Sequence, residues 1–256
     1  MIDPRAVIDP TARLGAEVEI GPYSVIGAEV EIGDGCRIGP HVVIKGPTRL
    51  GRNNTVYQFA SLGDDPQDKK YAGEPTRLEI GEGNVIREFC TINRGTVQDR
   101  GVTRIGDHNW IMAYVHIAHD CVVGNHTILA NNASLAGHVE VGDYAILGGF
   151  TLVHQFCRIG AHSFSGMNSV IAKDVLPYLM VAGHMAAARG LNSEGLKRRG
   201  FSPQTLRALK QAYRIIFREG NTLEAARQRL APLAAEHAEV ATMLAFLDRV
   251  SRGIVR

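Results

Sequence analysis

An aliphatic residue recurs at every sixth position over most of this sequence. The series runs through Ile8, Leu14, Ile20, Ile26, Ile32, Ile38, Ile44, Leu50, Val56 and Leu62, then Ile80, Ile86 and Ile92, then in steps of six from Ile105 to Ile159, and again at Ile171. Only Ser165 interrupts the last part. A period of six matches neither an α-helix nor an alternating strand. It is typical of a solenoid of short parallel strands, with one hexapeptide per face and three faces per turn. The sequence therefore predicts a mainly β protein, a parallel β-helix.

Glycine commonly follows the repeated aliphatic residue, as it does after Ile20, Ile32, Ile38, Val141 and Ile159. We expect the aliphatic side chains to point inward and small residues to occupy the bends between faces. With three hexapeptides per turn, one coil contains 18 residues, and successive coils rise by about 4.8 Å.

The repeat is interrupted twice, over residues 63–79 and 94–104, by polar and charged sequence. Both segments must leave the solenoid as loops, and loops on a rigid scaffold often carry function. The alternative is that each is a tolerated surface insertion.

Helical patterns replace the six-residue repeat after residue 183. Ser202 and Pro203 suit the N-cap and first turn of a helix, and Asn221 with Glu224 resembles a capping box for the next one. We expect Pro232 to interrupt that helix and a last helix to follow over roughly 239–251.

The chain is therefore divided into a β-helix domain, residues 1–190, and a C-terminal helical domain, residues 191–256. Its formal charge of +2 gives no strong attraction to nucleic acid. The four cysteines are far apart and form no CxxC motif, which suits a reducing compartment. The start MIDPRAVIDP lacks the pattern of a signal peptide, and no apolar run reaches the ~20 residues that span a bilayer. We expect a cytoplasmic protein without stable membrane insertion.

The segment HIAHD, residues 116–120, concentrates two histidines and an aspartate. Adding one coil of 18 residues to His119 gives Gly137, and adding it to Asp120 gives His138. A histidine beneath a bare glycine backbone offers a general base close to an N–H donor, which is the arrangement that acyl transfer needs.

Two other interpretations of this histidine cluster remain open. Some β-helix enzymes are carbonic anhydrases with histidine ligands, and three ligands plus water suffice for zinc. Their pair spacing differs from that of His116 and His119, so we expect no metal. The cluster could also be ordinary polarity along a solvated face.

Several long motifs resemble the UDP-N-acetylglucosamine O-acyltransferase family. They are YQFASLG (57–63), KYAGEPTRLEIG (70–81), HIAHDCVVGN (116–125), LAGHV (135–139), VHQFCRIGAH (153–162) and EGLKRRGFS (194–202). The resemblance extends over essentially the whole chain, and it implies that the β-helix is left-handed. It also implies a homotrimer with active sites between neighbouring subunits.

The resemblance assigns roles to individual residues. It makes His119 the catalytic base, Asp120 the residue that orients it, and the backbone of Gly137 the oxyanion donor. Residues implied to bind the substrates are Gln67, Asp68, Lys70, His116, His138, His154, Gln155, Asn192, Glu194, Arg198 and Arg199. One departure is Asn93 in TINRGT, where the family pattern has a histidine. Asparagine donates hydrogen bonds but cannot carry a charge to a phosphate.

The implied reaction is transfer of an (R)-3-hydroxyacyl group from acyl carrier protein to the 3-hydroxyl of UDP-N-acetylglucosamine, the first step of lipid A biosynthesis, without a cofactor. Alternatives are a hexapeptide acetyltransferase that uses coenzyme A, or a scaffold without catalytic activity. Acyl carrier protein is acidic in this pathway, and a basic stripe on the helix after Pro203 offers it a docking surface. The stripe consists of Arg207, Lys210, Arg214 and Arg218.

Met167 is the predicted ruler for the length of the acyl chain, because family members with glycine there admit a longer one. It is 48 residues beyond His119, or 48/18 coils, which gives an axial rise of roughly 13 Å. Roughly ten carbons fit that rise at about 1.25 Å each. The sequence therefore predicts a 3-hydroxydecanoyl donor. The alternative is that Met167 fills an irregular gap, as methionine often does.

Overall fold

The structure, a computed structural model, describes residues 1–256 as 27 short strands followed by four helices. The strands build three sheets, and strands that neighbour each other in a sheet are three apart in the chain, except where β26 pairs with β24 and β27. Nearly all pairs are parallel, and in regular coils the partners are 18 residues apart, as Val7 and Val25 are. Only the last pair, β26 with β27, is antiparallel. The predicted parallel β-helix is confirmed.

The three sheets form the three faces of a prism. The first sheet contains Val7–Ile8 (β1), Val25–Ile26 (β4), Val43–Ile44 (β7), Ser61–Asp64 (β10), Thr91–Asn93 (β13), His116–Ile117 (β16), Ser134–Leu135 (β19), Leu152–Val153 (β22) and Val170–Ile171 (β25). The second contains Arg13–Leu14 (β2), Val30–Ile32 (β5), Thr48–Leu50 (β8), Arg77–Ile80 (β11), Val102–Ile105 (β14), Val122–Val123 (β17), Glu140–Val141 (β20) and Arg158–Ile159 (β23). The third contains Glu19–Ile20 (β3), Arg37–Ile38 (β6), Thr55–Val56 (β9), Val85–Ile86 (β12), Trp110–Ile111 (β15), Ile128–Leu129 (β18), Ile146–Leu147 (β21), Phe164–Ser165 (β24), Leu179–Ala182 (β26) and Ala187–Leu191 (β27).

The core of the prism is the stack of repeated aliphatic side chains. From Ile20 to Ile171, every one of them is exposed by 3% or less. Ser165, which breaks the series, is also buried, and its hydroxyl hydrogen-bonds Thr151 at 2.8 Å and accepts the Gly148 N–H at 3.1 Å. The polar substitution is therefore tolerated because both of these bonds satisfy the hydroxyl.

The glycines that follow the aliphatic residues are required by the close approach of the next coil. A Cβ on Gly33 would lie 2.7 Å from the carbonyl carbon of Gly51, and one on Gly142 would lie 2.6 Å from the backbone nitrogen of Ala161. Real Cβ atoms do not approach backbone this closely, so only glycine fits.

The expectation that small residues occupy the bends is confirmed at the first position of many bends, such as Gly33 and Gly142, but is wrong for many of the left-handed positions two residues later. Nineteen residues other than glycine have a positive φ, and many of them are aromatic or histidine. Their rings stack from coil to coil, as in the aromatic column at one bend, with centroids 4.8–5.3 Å apart. The aromatic column consists of Tyr23, His41, Phe59, Phe89 and Tyr114. Stacking offsets the cost of the left-handed conformation, which is about 1–2 kcal/mol per residue.

The helical region contains Ser193–Arg198 (α1), Pro203–Phe217 (α2), Leu223–Glu236 (α3) and Ala238–Asp248 (α4). The Ser202 hydroxyl caps α2 by accepting the Thr205 N–H at 3.0 Å, as predicted. The cap of α3, however, is Thr222 rather than Asn221. Pro232 does not interrupt α3 but lies inside it. Proline lacks a backbone N–H, so Pro232 removes one hydrogen bond of the helix. The burial of Ala226 and Leu230 stabilises the helix in spite of this loss. None of the helices is long and apolar enough to cross a membrane.

Three corners separate the faces of the prism. The first corner joins the first sheet to the second, the second corner joins the second to the third, and the third corner joins the third to the first. Both loops leave from the first corner, because residues 63–79 connect β10 to β11 and residues 94–104 connect β13 to β14. His119 lies at the same corner, between β16 and β17.

Candidate functional site

Both loops and His138, whose ring lies against that of His119, meet in one cleft at the first corner, with a volume of about 450 Å³. Asp68 and Lys70 line it from the first loop, and Asp99 and Arg100 from the second. His138 lines it from the prism itself. The fold therefore places these polar side chains side by side although they are far apart in sequence.

His119 and Asp120 form a hydrogen-bonded pair at this corner. The Nδ1 atom of His119 lies 2.9 Å from Oδ2 of Asp120, and Asp120 is completely buried. Its carboxylate also accepts the backbone N–H of Thr96 on both oxygens at 3.0 Å and the Thr96 hydroxyl at 2.6 Å. These bonds fix the orientation of the carboxylate, which in turn fixes the plane of the imidazole.

The pKa of Asp120 is below its ordinary value. Burial alone would raise this pKa, but the hydrogen bonds from His119 and Thr96 favour the ionised form and outweigh it. An ionised carboxylate only accepts hydrogen bonds, so Nδ1 of His119 must carry the proton. In the neutral imidazole, Nε2 is then the ring nitrogen that can accept a proton.

Gly137 lies directly against the imidazole of His119, where the count of one coil places it. A Cβ on Gly137 would be 2.6 Å from Cε1 and 2.8 Å from Nε2 of that ring. No side chain fits there, so the glycine backbone faces the edge of the base that carries Nε2. The Gly137 N–H donates to no group of the protein.

His138 belongs to the same site and is held by three neighbours. Its Nδ1 lies 2.7 Å from Oδ2 of Asp99, its ring stacks on Phe156 with centroids 4.3 Å apart, and the His119 ring meets it edge-on at 5.0 Å. Phe156 is one coil beyond His138 and could have been predicted from the sequence. Asp99 is in a loop and could not.

His116 points outward from β16, the strand that immediately precedes His119. Its Nδ1 lies 2.8 Å from the hydroxyl of Thr91 on the coil below. Burial, and secondarily the charge of His119, lower the pKa of His116, so it is neutral at physiological pH. A neutral imidazole suits a hydrogen bond to a sugar hydroxyl better than an ion pair with a phosphate.

The first loop places Gln67 and Lys70 on its exposed surface, with Asp68 half-buried beside them. Asn93 is buried at the base of this loop and donates its side-chain N–H to the Asp65 carbonyl at 2.7 Å. The residue that departs from the family pattern thus anchors the first loop. It does not reach into the cleft as a charged group.

His154 and Gln155 lie at the first corner one coil beyond Gly137, and both are exposed. Nδ1 of His154 lies 3.2 Å from the Gln155 carbonyl oxygen. No other protein hydrogen bond orients the His154 side chain, so a ligand or a second copy of the chain has free access to it.

The predicted nucleotide residues lie at the second corner, apart from His119. The Asn192 side chain caps α1, accepting the Gly195 N–H at 3.3 Å and donating to the His162 carbonyl at 3.0 Å. Glu194 forms an exposed ion pair with Lys197 at 2.8 Å. Arg198 is exposed as well.

Arg199 covers the ring of Tyr144 at 5.1 Å, and one of its buried nitrogens, Nη1, has no partner. Burial lowers the pKa of Arg199, and burial together with the Arg199 charge lowers the pKa of His162 to about 4. A neutral histidine beside an unsatisfied guanidinium leaves this end of the molecule able to accept an anion.

Met167 lies at the third corner, between β24 and β25, and is 75% exposed. The axial rise counted from His119 is therefore not the whole distance to Met167, because the first sheet separates the two residues within one chain. An acyl chain that touches both must cross that sheet or lie between two copies of the protein.

The predicted site residues thus occupy all three corners. His119, Asp120, Gly137, His138 and the first loop are brought together, whereas the residues predicted to bind the nucleotide and Met167 are not. One chain alone does not form a continuous surface with all of them.

His119, Asp120 and His138 are close enough to hold a metal ion, with ligand atoms within 4.8 Å of one another. These atoms already bond to each other or to Asp99 and Thr96. A metal would have to break these hydrogen bonds, so the geometry favours a proton-transfer pair over a metal centre.

Sequence reasoning missed three residues that hold the site together. Thr96 and Asp99 bond to Asp120 and His138, and the Thr103 hydroxyl accepts the Asp120 N–H at 2.8 Å. Thr103 is on the coil beneath Asp120, so a count between neighbouring coils could have found it. Thr96 and Asp99 depend on how the second loop folds back.

Two family profiles match this chain. The profile of the UDP-N-acetylglucosamine O-acyltransferase family, domain 2, matches residues 174–255, and the bacterial transferase hexapeptide profile matches residues 11–46 and 103–137. Among solved structures, the UDP-N-acetylglucosamine O-acyltransferase of Moraxella catarrhalis is 48% identical with a TM-score of 0.98, over 100% of this chain and 99% of that one. The enzyme of Francisella novicida is 41% identical with a TM-score of 0.98, over 100% and 94%.

Curated relatives are more similar still. The acyl-(acyl-carrier-protein)–UDP-N-acetylglucosamine O-acyltransferase of Thiobacillus denitrificans is 70% identical over 100% of this chain and 99% of its own length. That of Pseudomonas paraeruginosa is 62% identical with the same coverage. The fold is therefore the left-handed parallel β-helix with a C-terminal helical region, as predicted. The chain belongs to the UDP-N-acetylglucosamine O-acyltransferase family.

Proposed function

We propose that this protein transfers an (R)-3-hydroxyacyl group from acyl carrier protein to the 3-hydroxyl of UDP-N-acetylglucosamine, the first step of lipid A biosynthesis. The observation that carries the proposal is the pair His119 and Asp120 packed against the Gly137 backbone, in a chain that belongs to this family. A base, a residue that orients it and a backbone donor are the parts that acyl transfer to a hydroxyl requires.

The proposed reaction begins at Nε2 of His119. This nitrogen takes the proton of the sugar 3-hydroxyl while the hydroxyl oxygen attacks the thioester carbonyl. Asp120 stabilises the imidazolium that forms, because its carboxylate already accepts the Nδ1–H at 2.9 Å. When the carbon–sulfur bond breaks, the same nitrogen returns the proton to the departing thiolate. Protons and electron pairs balance without a cofactor.

Gly137 is proposed to stabilise the negative oxygen of the tetrahedral intermediate. Its N–H is free of protein acceptors, and its missing side chain lets a substrate carbonyl approach beside His119. Removing one such donor typically costs about 10²–10³ in turnover.

The acyl donor is proposed to be held on acyl carrier protein, which docks on the basic stripe of α2. All four residues of the stripe are exposed, while Leu209, Ala212 and Ile216 on the opposite side of the helix are buried. The stripe is therefore free to meet an acidic partner without disturbing the packing of the helix.

We further propose that the protein works as a homotrimer with a complete site between copies. Two observations support this assembly. The predicted site residues occupy three corners of one chain, and the members Tyr23, Phe59, Phe89 and Tyr114 of the aromatic column are 42–55% exposed. A neighbouring copy would cover these rings and bring the second or third corner of one chain to the first corner of another. Sedimentation equilibrium should give the mass of three chains, and a monomer would contradict the assembly.

Met167 is proposed to limit the acyl chain in the groove between two copies, which favours a 3-hydroxydecanoyl donor. Replacement by glycine should move the preference towards about fourteen carbons, because each buried methylene contributes about 0.8 kcal/mol. Competition between C10 and C14 thioesters in wild type and Met167→Gly measures the preference. A wild-type preference for C14, or a variant without a shift, contradicts the ruler.

A cytoplasmic location is part of the proposal. Acyl carrier protein and nucleotide sugars are substrates of that compartment, and all four cysteines are buried free thiols, which suits its reducing conditions.

The direct test is to incubate the purified protein with UDP-N-acetylglucosamine and a defined 3-hydroxyacyl thioester and to identify the product by mass spectrometry. The thioester is supplied on acyl carrier protein in one reaction and on coenzyme A in the other. We expect a 3-O-acylated nucleotide sugar mainly from the carrier-protein thioester. Equal or greater rates with coenzyme A would favour the hexapeptide acetyltransferase alternative.

A further inference from the structure

The second loop, residues 94–104, makes more contacts with the proposed catalytic residues than the first loop does. It begins at the end of β13 and returns to the prism in β14, so both of its ends lie on the coil beneath His119 and Asp120. A turn closes it, in which the Gly101 N–H donates to the Thr96 carbonyl at 2.9 Å. The loop is therefore tied to itself and to the prism.

Thr96 makes the densest set of bonds to Asp120. Its hydroxyl donates to Oδ2 at 2.6 Å, and its backbone N–H lies 3.0 Å from each carboxylate oxygen. Oδ2 is the same oxygen that accepts Nδ1 of His119. Both Thr96 and Asp120 are buried, exposed by 1% and 0%, so water does not compete for these bonds.

Two more residues of the loop hold the neighbours of the base. Oδ2 of Asp99 lies 2.7 Å from Nδ1 of His138, and Arg100 donates a hydrogen bond to the Glu140 carboxylate at 2.6 Å. Glu140 also accepts hydrogen bonds from Arg158 at 3.2 Å and from Arg249, beyond the end of α4, at 2.7 Å. The loop is thus joined to the second sheet and to the helical region.

We propose that the second loop is the positioning element of the active site, and that Thr96 is its decisive positioning residue. Although Thr96 borders the cleft, its part in the proposal is to act through Asp120. It holds the carboxylate of Asp120 in the one orientation in which Nδ1 of His119 donates to it and Nε2 faces Gly137. The proposal rests on the proposed function, because it assigns Thr96 a part in that reaction.

The physical reason is that the Asp120 carboxylate has one hydroxyl donor and one imidazole donor on a single oxygen. Without the hydroxyl, the carboxylate keeps the Thr96 N–H but loses the shortest of the bonds that oppose its rotation. The imidazole then samples orientations in which Nε2 no longer points at the reacting hydroxyl, and a misplacement of about 1 Å costs about a hundredfold in rate.

The test compares Thr96→Val, which keeps the shape and removes the hydroxyl, with Thr96→Ser, which keeps the hydroxyl. Thr127→Val is the matched control, because Thr127 is also 1% exposed and donates its hydroxyl to a side-chain oxygen, Oδ1 of Asn109, at 2.7 Å. It lies at the second corner, away from the base.

For Thr96→Val we expect kcat to fall by about tenfold to a hundredfold, while KM for UDP-N-acetylglucosamine stays within about twofold. Thr96→Ser should recover most of kcat, and Thr127→Val should keep it. Wild-type kcat in Thr96→Val, an equal loss in Thr127→Val, or a loss confined to KM would overturn the proposal.

A second readout separates this proposal from the proposed function. In protein labelled with ¹⁵N-histidine, the NMR spectrum of wild type should show His119 as a single tautomer protonated at Nδ1, and Thr96→Val should show a mixture. If the wild type formed no acylated sugar, the proposed function would fail while this spectrum still decided the role of Thr96. An unchanged spectrum in Thr96→Val would overturn the positioning role itself.

Discussion

Gly137→Ala is a small substitution with a large expected effect on catalysis. The new methyl would start 2.6 Å from Cε1 and 2.8 Å from Nε2 of His119. An ordinary carbon–carbon contact is about 3.5 Å, so the imidazole must retreat by roughly 0.9 Å. The backbone of Gly137 is outside the left-handed region, and alanine adopts it without strain. The damage therefore falls on the base and not on the fold.

A retreat of this size breaks the alignment of Nε2 with the substrate and stretches the 2.9 Å bond to Asp120. Misplacement by about 1 Å costs about a hundredfold, which corresponds to roughly 2.7 kcal/mol of transition-state stabilisation. Steady-state kinetics on the purified variant should show this loss in kcat, with a melting temperature close to wild type.

Gly27→Ala is the matched control, because its Cβ would meet nothing closer than 3.3 Å and it lies near the other end of the prism. It should keep full activity. Gly137→Ala with wild-type kcat would refute the argument that the imidazole edge occupies this space.

Three further predictions follow from contacts away from the base. The pKa of His162 is lowered to about 4. The unfolding free energy should therefore fall as the pH drops from about 6.5 towards 4, because His162 binds its proton in the unfolded chain before it does so in the folded one. His162→Phe keeps the stack on Tyr144. In urea unfolding, it should reduce the loss of unfolding free energy between these pH values by about 1–2 kcal/mol, a figure lowered because His162 is partly exposed. Equal pH slopes of the unfolding free energy in both proteins would be the contrary result. Glu140→Gln should lower the unfolding free energy by about 1–3 kcal/mol, since three guanidinium groups lose their shared carboxylate, and calorimetry showing no change would contradict this. Reversing the charges of Lys210 and Arg214 should raise KM for acyl carrier protein and weaken its salt dependence without changing nucleotide-sugar affinity; an unaltered KM would mean that the stripe is only a solvated face.

The six-residue period predicted most of the fold because each hexapeptide has one buried position and the same environment in every coil. The period also placed Gly137 against His119, since a count of 18 residues is a distance of one coil. It predicted the small residues that begin many bends but not the rings at the left-handed positions. Stacking between coils favours rings there, such as Phe89 and Tyr114.

Features that depend on the path of a loop or on helix packing could not be predicted from the sequence. Thr96 reaches Asp120 only because residues 94–104 fold back on the prism, and no spacing rule encodes that turn. Pro232 was expected to interrupt a helix because propensity is local, but burial of Ala226 and Leu230 outweighed it. The count from His119 to Met167 measures only the axial rise and leaves out the lateral offset between the two corners, so the ten-carbon length stays a prediction.

The measurement that tests the central claim most directly is single-turnover acyl transfer by His119→Ala, with binding of UDP-N-acetylglucosamine followed by calorimetry on the same preparation. The claim that His119 is the base predicts unchanged binding and a transfer rate lower by about two to four orders of magnitude. Transfer within tenfold of wild type by the folded variant would show that another group removes the proton.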